Sequence, residues 1–207
     1  FLGKGISLNS NLKLSEEDVK GNFTVTNPNF RNSDKSIFFN IQALETDKMT
    51  KSGYKTNKTG FKIGTEFEYF EDLNLGIGKS SYYEKISTDS TASARQQKQK
   101  GNYWDTFVSL NFTLDKRNQK FQTSKGYVSR FDVDVPIISD TNSISNKFLY
   151  KYFTELFNEN ISSIGLTLGS TFSLKNEDVK LSERLFIPGK KLRGFESGKV
   201  GPKDGDD

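Results

Sequence analysis

Along most of this 207-residue chain every second residue is apolar, in blocks of about ten residues divided by turn-forming stretches. At 19–26, Val19, Gly21, Phe23 and Val25 alternate with Lys20, Asn22, Thr24 and Thr26. At 37–43, Ile37, Phe39, Ile41 and Ala43 face away from Asn40 and Gln42. At 61–69, Phe61, Ile63, Phe67 and Tyr69 oppose Lys62, Gly64, Glu66 and Glu68. The same rhythm runs through 104–114 (Trp104, Val108, Leu110, Phe112, Leu114), 127–137 (Tyr127, Phe131, Val133, Val135, Ile137) and 164–174 (Ile164, Leu166, Leu168, Phe172, Leu174). Successive side chains of a strand point to opposite faces, so each block makes a ribbon with one apolar and one polar side. Weaker blocks fill the gaps at 5–14, 75–86 and 147–157. In the last, Phe148, Tyr150 and Tyr152 share a face, but Leu149, Phe153 and Phe157 lie on the other. A short helix competes there, and the strands on both sides decide for a strand. The sum is about nine antiparallel strands in a hairpin meander.

Such ribbons can stack in a soluble sandwich or close into a membrane barrel. Hydrophobic residues are only 33% of the chain, whereas aromatics are 13%. A disordered chain would be poor in aromatics, and a packed soluble core would be richer in apolar residues. A barrel wall between lipid and a polar lumen satisfies both figures. Connection lengths point the same way. The turns near Leu2–Gly5, Asn29–Asp34, Glu71–Asn74 and Asn158–Asn160 are short and share one side. Those near Lys48–Lys58, Ser87–Asn102 and Asn176–Asp207 are long and share the other; short Ser15–Asp18 and longer Lys116–Lys125 depart from the rule. Outer-membrane barrels have short periplasmic turns and long external loops, which places the long set outside. Tyr69 and Phe70, Tyr82 and Tyr83, and Tyr103 and Trp104 sit near strand ends and suit interfacial girdles. The loop at 87–101 has no apolar cluster and is expected to be exposed and mobile.

Function classes narrow by absence. Neither Cys nor His is present, which excludes a disulfide framework, Cys/His zinc sites and serine triads within the chain. No apolar run approaches the roughly 18 residues of a membrane helix, a rule that does not bear on barrels. The +4 net charge is scattered and gives no nucleic-acid footprint. The carboxylate pairs Glu66/Glu68 and Asp132/Asp134 share strand faces, where they read as lumen lining rather than acid–base catalysts. Asp204, Gly205, Asp206 and Asp207 hint at Ca²⁺ but lack the EF-hand order of ligands and glycine. No enzyme, cofactor or metal is expected.

The most specific stretch is 183–204. Here Gly189 follows Phe186 by three residues, Leu192, Arg193, Gly194 and Phe195 form a tetrad, and Val200, Gly201 and Pro202 follow. An arginine between Leu192 and Phe195 suggests a packed place. Gly194 would allow close backbone approach or positive φ, and a buried guanidinium needs a carboxylate, suited by its planar fork to a bidentate pair. Glu66, Glu68, Asp132 and Asp134 are the inward acids at hand. This stretch resembles the sixth external loop of the Omp85 superfamily, above all its BamA branch. Leu192 stands where Val or Ile is commoner, and Pro188 where a Gly often stands. Val25, Thr26, Asn27, Pro28, Asn29 and Phe30 resemble a strand-end motif of the same family.

The resemblance implies an all-β, partial transmembrane barrel from the bacterial outer membrane. Residues 1–175 would be its central strands and 176–207 a long external loop folded back into the lumen. POTRA domains and the last strands, one bearing the acid partner of Arg193, would lie beyond the chain, which starts at Phe1 without a signal peptide and stops at Asp207 in a Gly/Asp-rich loop. The implied function is assembly and insertion of barrel proteins, with unfolded outer-membrane clients, outer-membrane lipids and assembly lipoproteins as partners and no nucleic acid. A secretion pore of the same superfamily, which shares the tetrad, or a porin is the alternative.

Overall fold

A computed structural model describes residues 5–157, 160–175, 177–185 and 194. Nine strands follow in chain order: β1 (Ser7–Leu14), β2 (Asp18–Asn27), β3 (Ser36–Lys48), β4 (Tyr54–Phe70), β5 (Leu73–Thr88), β6 (Gly101–Asp115), β7 (Gly126–Ser139), β8 (Ser143–Phe157) and β9 (Asn160–Ser173). Each pairs antiparallel with its neighbour in sequence, giving one sheet ordered β1 to β9. The sheet does not close, since β1 and β9 do not pair with each other. The ambiguous 147–157 block is strand throughout, within β8. The strand-end motif ends β2 at Asn27 and turns at Pro28–Asn29; Phe30 N–H then donates to Lys35 O at 2.9 Å.

Register carries the alternation across strands. Val25, Phe39 and Ile63 form one row, and Phe23, Ile41 and Phe61 the next. These rows remain exposed: Phe23, Phe39, Ile41, Phe61 and Ile63 are all at least 40% accessible. Among the described residues no second layer covers them, so the sheet is a barrel wall and not half of a sandwich. The concave face is polar and hydrogen-bonded. Asn40 donates to Asn22 and to Thr24 Oγ1, Asn111 to Asp132, and Ser109 to Asp134. In β7 the pairing slips beside Phe107↔Pro136 and Thr106↔Ile138, which leaves Ile137 unpaired. Proline has no N–H to give the ladder and belongs at such a bulge. The bulge leaves Ile137 and Ile138 both exposed.

Three expectations need correction. The long loop near Lys48–Lys58 is instead the five residues 49–53, because β3 and β4 run on to Lys48 and Tyr54. Apart from Tyr54 their tips carry polar residues with no apolar alternation, and Lys55 links them by charge: its Nζ lies 2.5 Å from Glu45 and 3.2 Å from Asp47. The asymmetry of the rims is also narrower than expected. The upper rim carries 15–17, 49–53, 89–100 and 140–142, and the lower 28–35, 71–72 and 116–125. Finally, only one residue of each aromatic pair at the upper rim faces outward. Tyr83 and Trp104 do, with ring centroids 6.4 Å apart. Tyr82 lies over Gly60 on the inner face and Tyr103 beside the buried cluster Tyr54, Ile86 and Leu181. Adjacent strand residues cannot share a face. Tyr69 and Phe70 escape that rule through a register shift between Glu68 and Phe70, and both are exposed.

Candidate functional site

After β9 the chain turns at the upper rim, where Leu174 N–H donates to Asn142 O at 2.7 Å. Residues 177–185 then fold back as a strap across the mouth and onto the inner face of β4–β6. Lys180 is the point of attachment. Its side chain is 1% exposed and its ammonium meets three carboxylates: Glu84 of β5 at 2.8 Å, Asp105 of β6 in direct contact, and Glu183 at 3.5 Å. The Tyr103 ring lies 5.2 Å from the same nitrogen. Glu84 and Asp105 are inward positions on neighbouring strands, offset diagonally: Tyr82 pairs with Asp105 and Glu84 with Tyr103.

The carboxylates are themselves held. Thr141 donates to Asp105 Oδ1 through N–H at 3.1 Å and Oγ1 at 3.0 Å, Ser182 Oγ to Glu84 Oε2 at 2.8 Å, and Ser143 Oγ to Glu183. Burial alone would drive the lysine towards neutrality. Glu84, Glu183 and Asp105 outweigh it and hold the Lys180 ammonium above the ordinary lysine range. One cation against three acids leaves the cluster negative. Glu84 Oε1 and Glu183 Oε1 are buried without a hydrogen-bond donor among the described residues. No group of acids among those residues is arranged to hold a metal ion.

Around this anchor the strap is stitched to the 89–100 connection, which is therefore not the free loop the composition suggests. Ser93 and Gln96 form a capping box on the single-turn helix Ala94–Gln97. Arg95 Nε and Nη2 grip Asp178 at 2.7 and 2.5 Å, a contact that holds the Asp178 carboxyl below the usual range. Gln99 Oε1 accepts from Leu181 N–H at 2.8 Å, Gln99 Nε2 donates to Val179 O at 3.3 Å, and Tyr103 OH donates to Gln99 O at 2.7 Å. Leu181 adds the apolar contact, packing with Tyr54 and Ile86.

Below the strap the concave face borders a cavity of about 940 Å³, lined among others by Lys62, Glu66, Arg130, Asp132, Asp134 and Lys147. Asp132 is gripped by Arg130 at 2.9 Å, and Glu68 accepts from Asp72 N–H at 2.9 Å in the lower turn. Glu66, Asp132 and Asp134 line the lumen, as their spacing suggests, whereas Glu68 is exposed at the lower turn. Gly189, Leu192, Arg193, Phe195, Gly201 and Pro202 of the loop constellation lie outside the described residues, as do Asp204, Asp206 and Asp207. Gly194 is described, with φ 89°, the positive value its lack of a side chain permits. Sequence reasoning missed Lys180. It stands in a polar run and two of its three acids are 96 and 75 residues away, with only the inward parity of Glu84 and Asp105 as a trace.

The Omp85 superfamily domain matches residues 1–207. No curated protein matches the sequence. Among solved structures, BamA from Haemophilus ducreyi lacking POTRA domains 1-3 is similar with a TM-score of 0.82 at 18% identity. The match covers 97% of this chain and 42% of that one, so the chain spans less than half of that structure's length. At this identity the likeness speaks for the fold.

Proposed function

The chain belongs to the Omp85 superfamily, and from that premise we propose that it is the central wall of a bacterial outer-membrane barrel that inserts other β-barrel proteins. The carrying observation is the nine-stranded wall: uncovered apolar rows outside, hydrogen-bonded polar rows inside. Rows of that extent need hydrocarbon, and only a closed set of strands satisfies its backbone there. Insertion then follows the physics of strand edges. An edge exposes unpaired N–H and C=O groups, a client hairpin pairs with it, and the paired client leaves as a closed barrel. No covalent bond is made or broken. The clients are unfolded outer-membrane proteins, and assembly lipoproteins and outer-membrane lipids complete the partner set.

On this reading the strap begins the inward-folded loop, Lys180 fixes its root, and Arg193 braces its further course. Arg193→Ala in the full-length protein lowers the yield of folded barrel. Unchanged heat-modifiable mobility together with full complementation would reject the brace. The insertase itself is tested by reconstituting the full-length protein in phospholipid vesicles and adding a urea-denatured eight-stranded barrel. Faster folding than in empty vesicles supports insertion, and equal rates reject it. The cavity, with Lys62, Arg130 and Lys147 in its lining, favours a second reading, a secretion pore or porin. A large steady conductance in planar bilayers would select that reading.

A further inference from the structure

The outward face of β4–β6 carries a charge that the wall does not explain. Alternate positions there run Phe61, Ile63, Thr65 and Phe67 on β4, and Val108, Leu110, Phe112 and Leu114 on β6. On β5 the series is Leu75, Ile77, Lys79, Ser81, Tyr83 and Lys85. Lys79 is exposed, with Ile63 opposite it on one side and Val108 on the other. One row higher, Ser81 and Thr106 satisfy each other at 3.0 Å and are buried. Lys79 and Lys85 have no ion pair or hydrogen bond among the described residues, and the outward positions of β4, β5 and β6 carry no Asp or Glu.

Depth makes the case. Tyr83 and Trp104 mark the upper aromatic belt. Lys79 is four residues below it, about 13 Å along the strand and roughly 10 Å in depth at the usual tilt. A lysine stem spans about 6 Å, so its ammonium can rise to just beneath the belt but not clear of it. A lysine facing the middle of a bilayer is destabilising, and a lipid phosphate drawn down to it would offset that. Lys85, exposed just above the belt, adds positive charge on the same face.

We propose that Lys79, with Lys85 above it, forms a binding site on the outside of β5 for the phosphate of an anionic membrane lipid. The site rests on the membrane reading given above. The test uses the full-length protein and native mass spectrometry of the first bound lipid, with phosphatidylglycerol against phosphatidylcholine. The wild type should favour phosphatidylglycerol about fivefold, the gain of one lysine at an anionic surface. Lys79→Leu should remove the preference and Lys79→Arg retain it. Equal binding of both lipids by the wild type, or a preference that survives Lys79→Leu, overturns the site. Displacement of the lipid by inorganic phosphate at matching concentration overturns the lipid assignment, and failure to displace supports it.

A second measurement is independent of detergent. Lys79→Leu should raise the urea midpoint in phosphatidylcholine vesicles and lower it when phosphatidylglycerol is included. A shift of the same sign in both overturns the proposal. Failure of the wild type to form a heat-modifiable barrel in either vesicle removes the membrane reading as well, whereas a folded barrel without the sign change removes only this site.

Discussion

Lys180 shows how position decides what a charge contributes. Buried against three acids, its ammonium cannot be removed without leaving them unpaired, and breaking a buried pair costs about 3–5 kcal/mol. Lys180→Met in the full-length protein should therefore lower the urea midpoint of the folded barrel, followed by heat-modifiable mobility. Adding Glu84→Gln should restore part of the loss, because it removes an acid the lysine no longer pairs. Arg95→Ala is the contrast. Arg95 and Asp178 are both largely exposed, and an exposed pair of this kind leaves the midpoint in place. The Lys180 shift also fixes a pH window. Its folded value lies above its unfolded one, so its stabilisation is complete below the unfolded value of about 10.4 and fades as pH rises through the folded value. Proteolysis within 177–185 should stay flat from about pH 7 to 9 and rise only above about 10.4. A rise near neutrality would show that Lys180 does not hold the strap.

At the scale of elements, β4 and β5 are fitted to each other by side chains lying over glycines. A Cβ added to Gly60 would sit 2.2 Å from Ser81 O and 2.3 Å from the Tyr82 ring. Gly60→Ala must displace Tyr82 or part the strands, an overpacking cost of about 1–3 kcal/mol. The matching change Gly21→Ala would meet only Ala43 O at 4.0 Å. Refolding yields should fall for the first and hold for the second, and equal yields would show that the aromatic-over-glycine fit does not matter. The tips of β3 and β4 show why element boundaries were hard to place. Thr46, Asp47, Lys55 and Thr56 continue the ladder with no apolar row to reveal it. What extends them is register, with Lys55 linking Glu45 and Asp47.

For the whole molecule the open sheet is the governing fact. β1 and β9 each have one hydrogen-bonded neighbour, so the wall presents two edges. An unpaired edge is a template for another strand. The 207-residue chain expressed alone and refolded in micelles should therefore give oligomers rather than a monomeric heat-modifiable band. A monomer of that kind would show that these nine strands close by themselves.

Local alternation sufficed to place eight of the nine strands, with β8 decided by the strands on either side of it, to separate the lipid-side rows from the lumen rows, and to read Asp132 and Asp134 as lining. It could do so because a strand's two faces are set by parity alone, whatever lies around it. The strap is different. That Lys180 meets Glu84 and Asp105, and that the polar 89–100 connection packs, depends on where the chain travels after β9. The burial that makes those charges matter is created by strands far away in sequence. No window of neighbouring residues contains that information, and only the folded wall decides it.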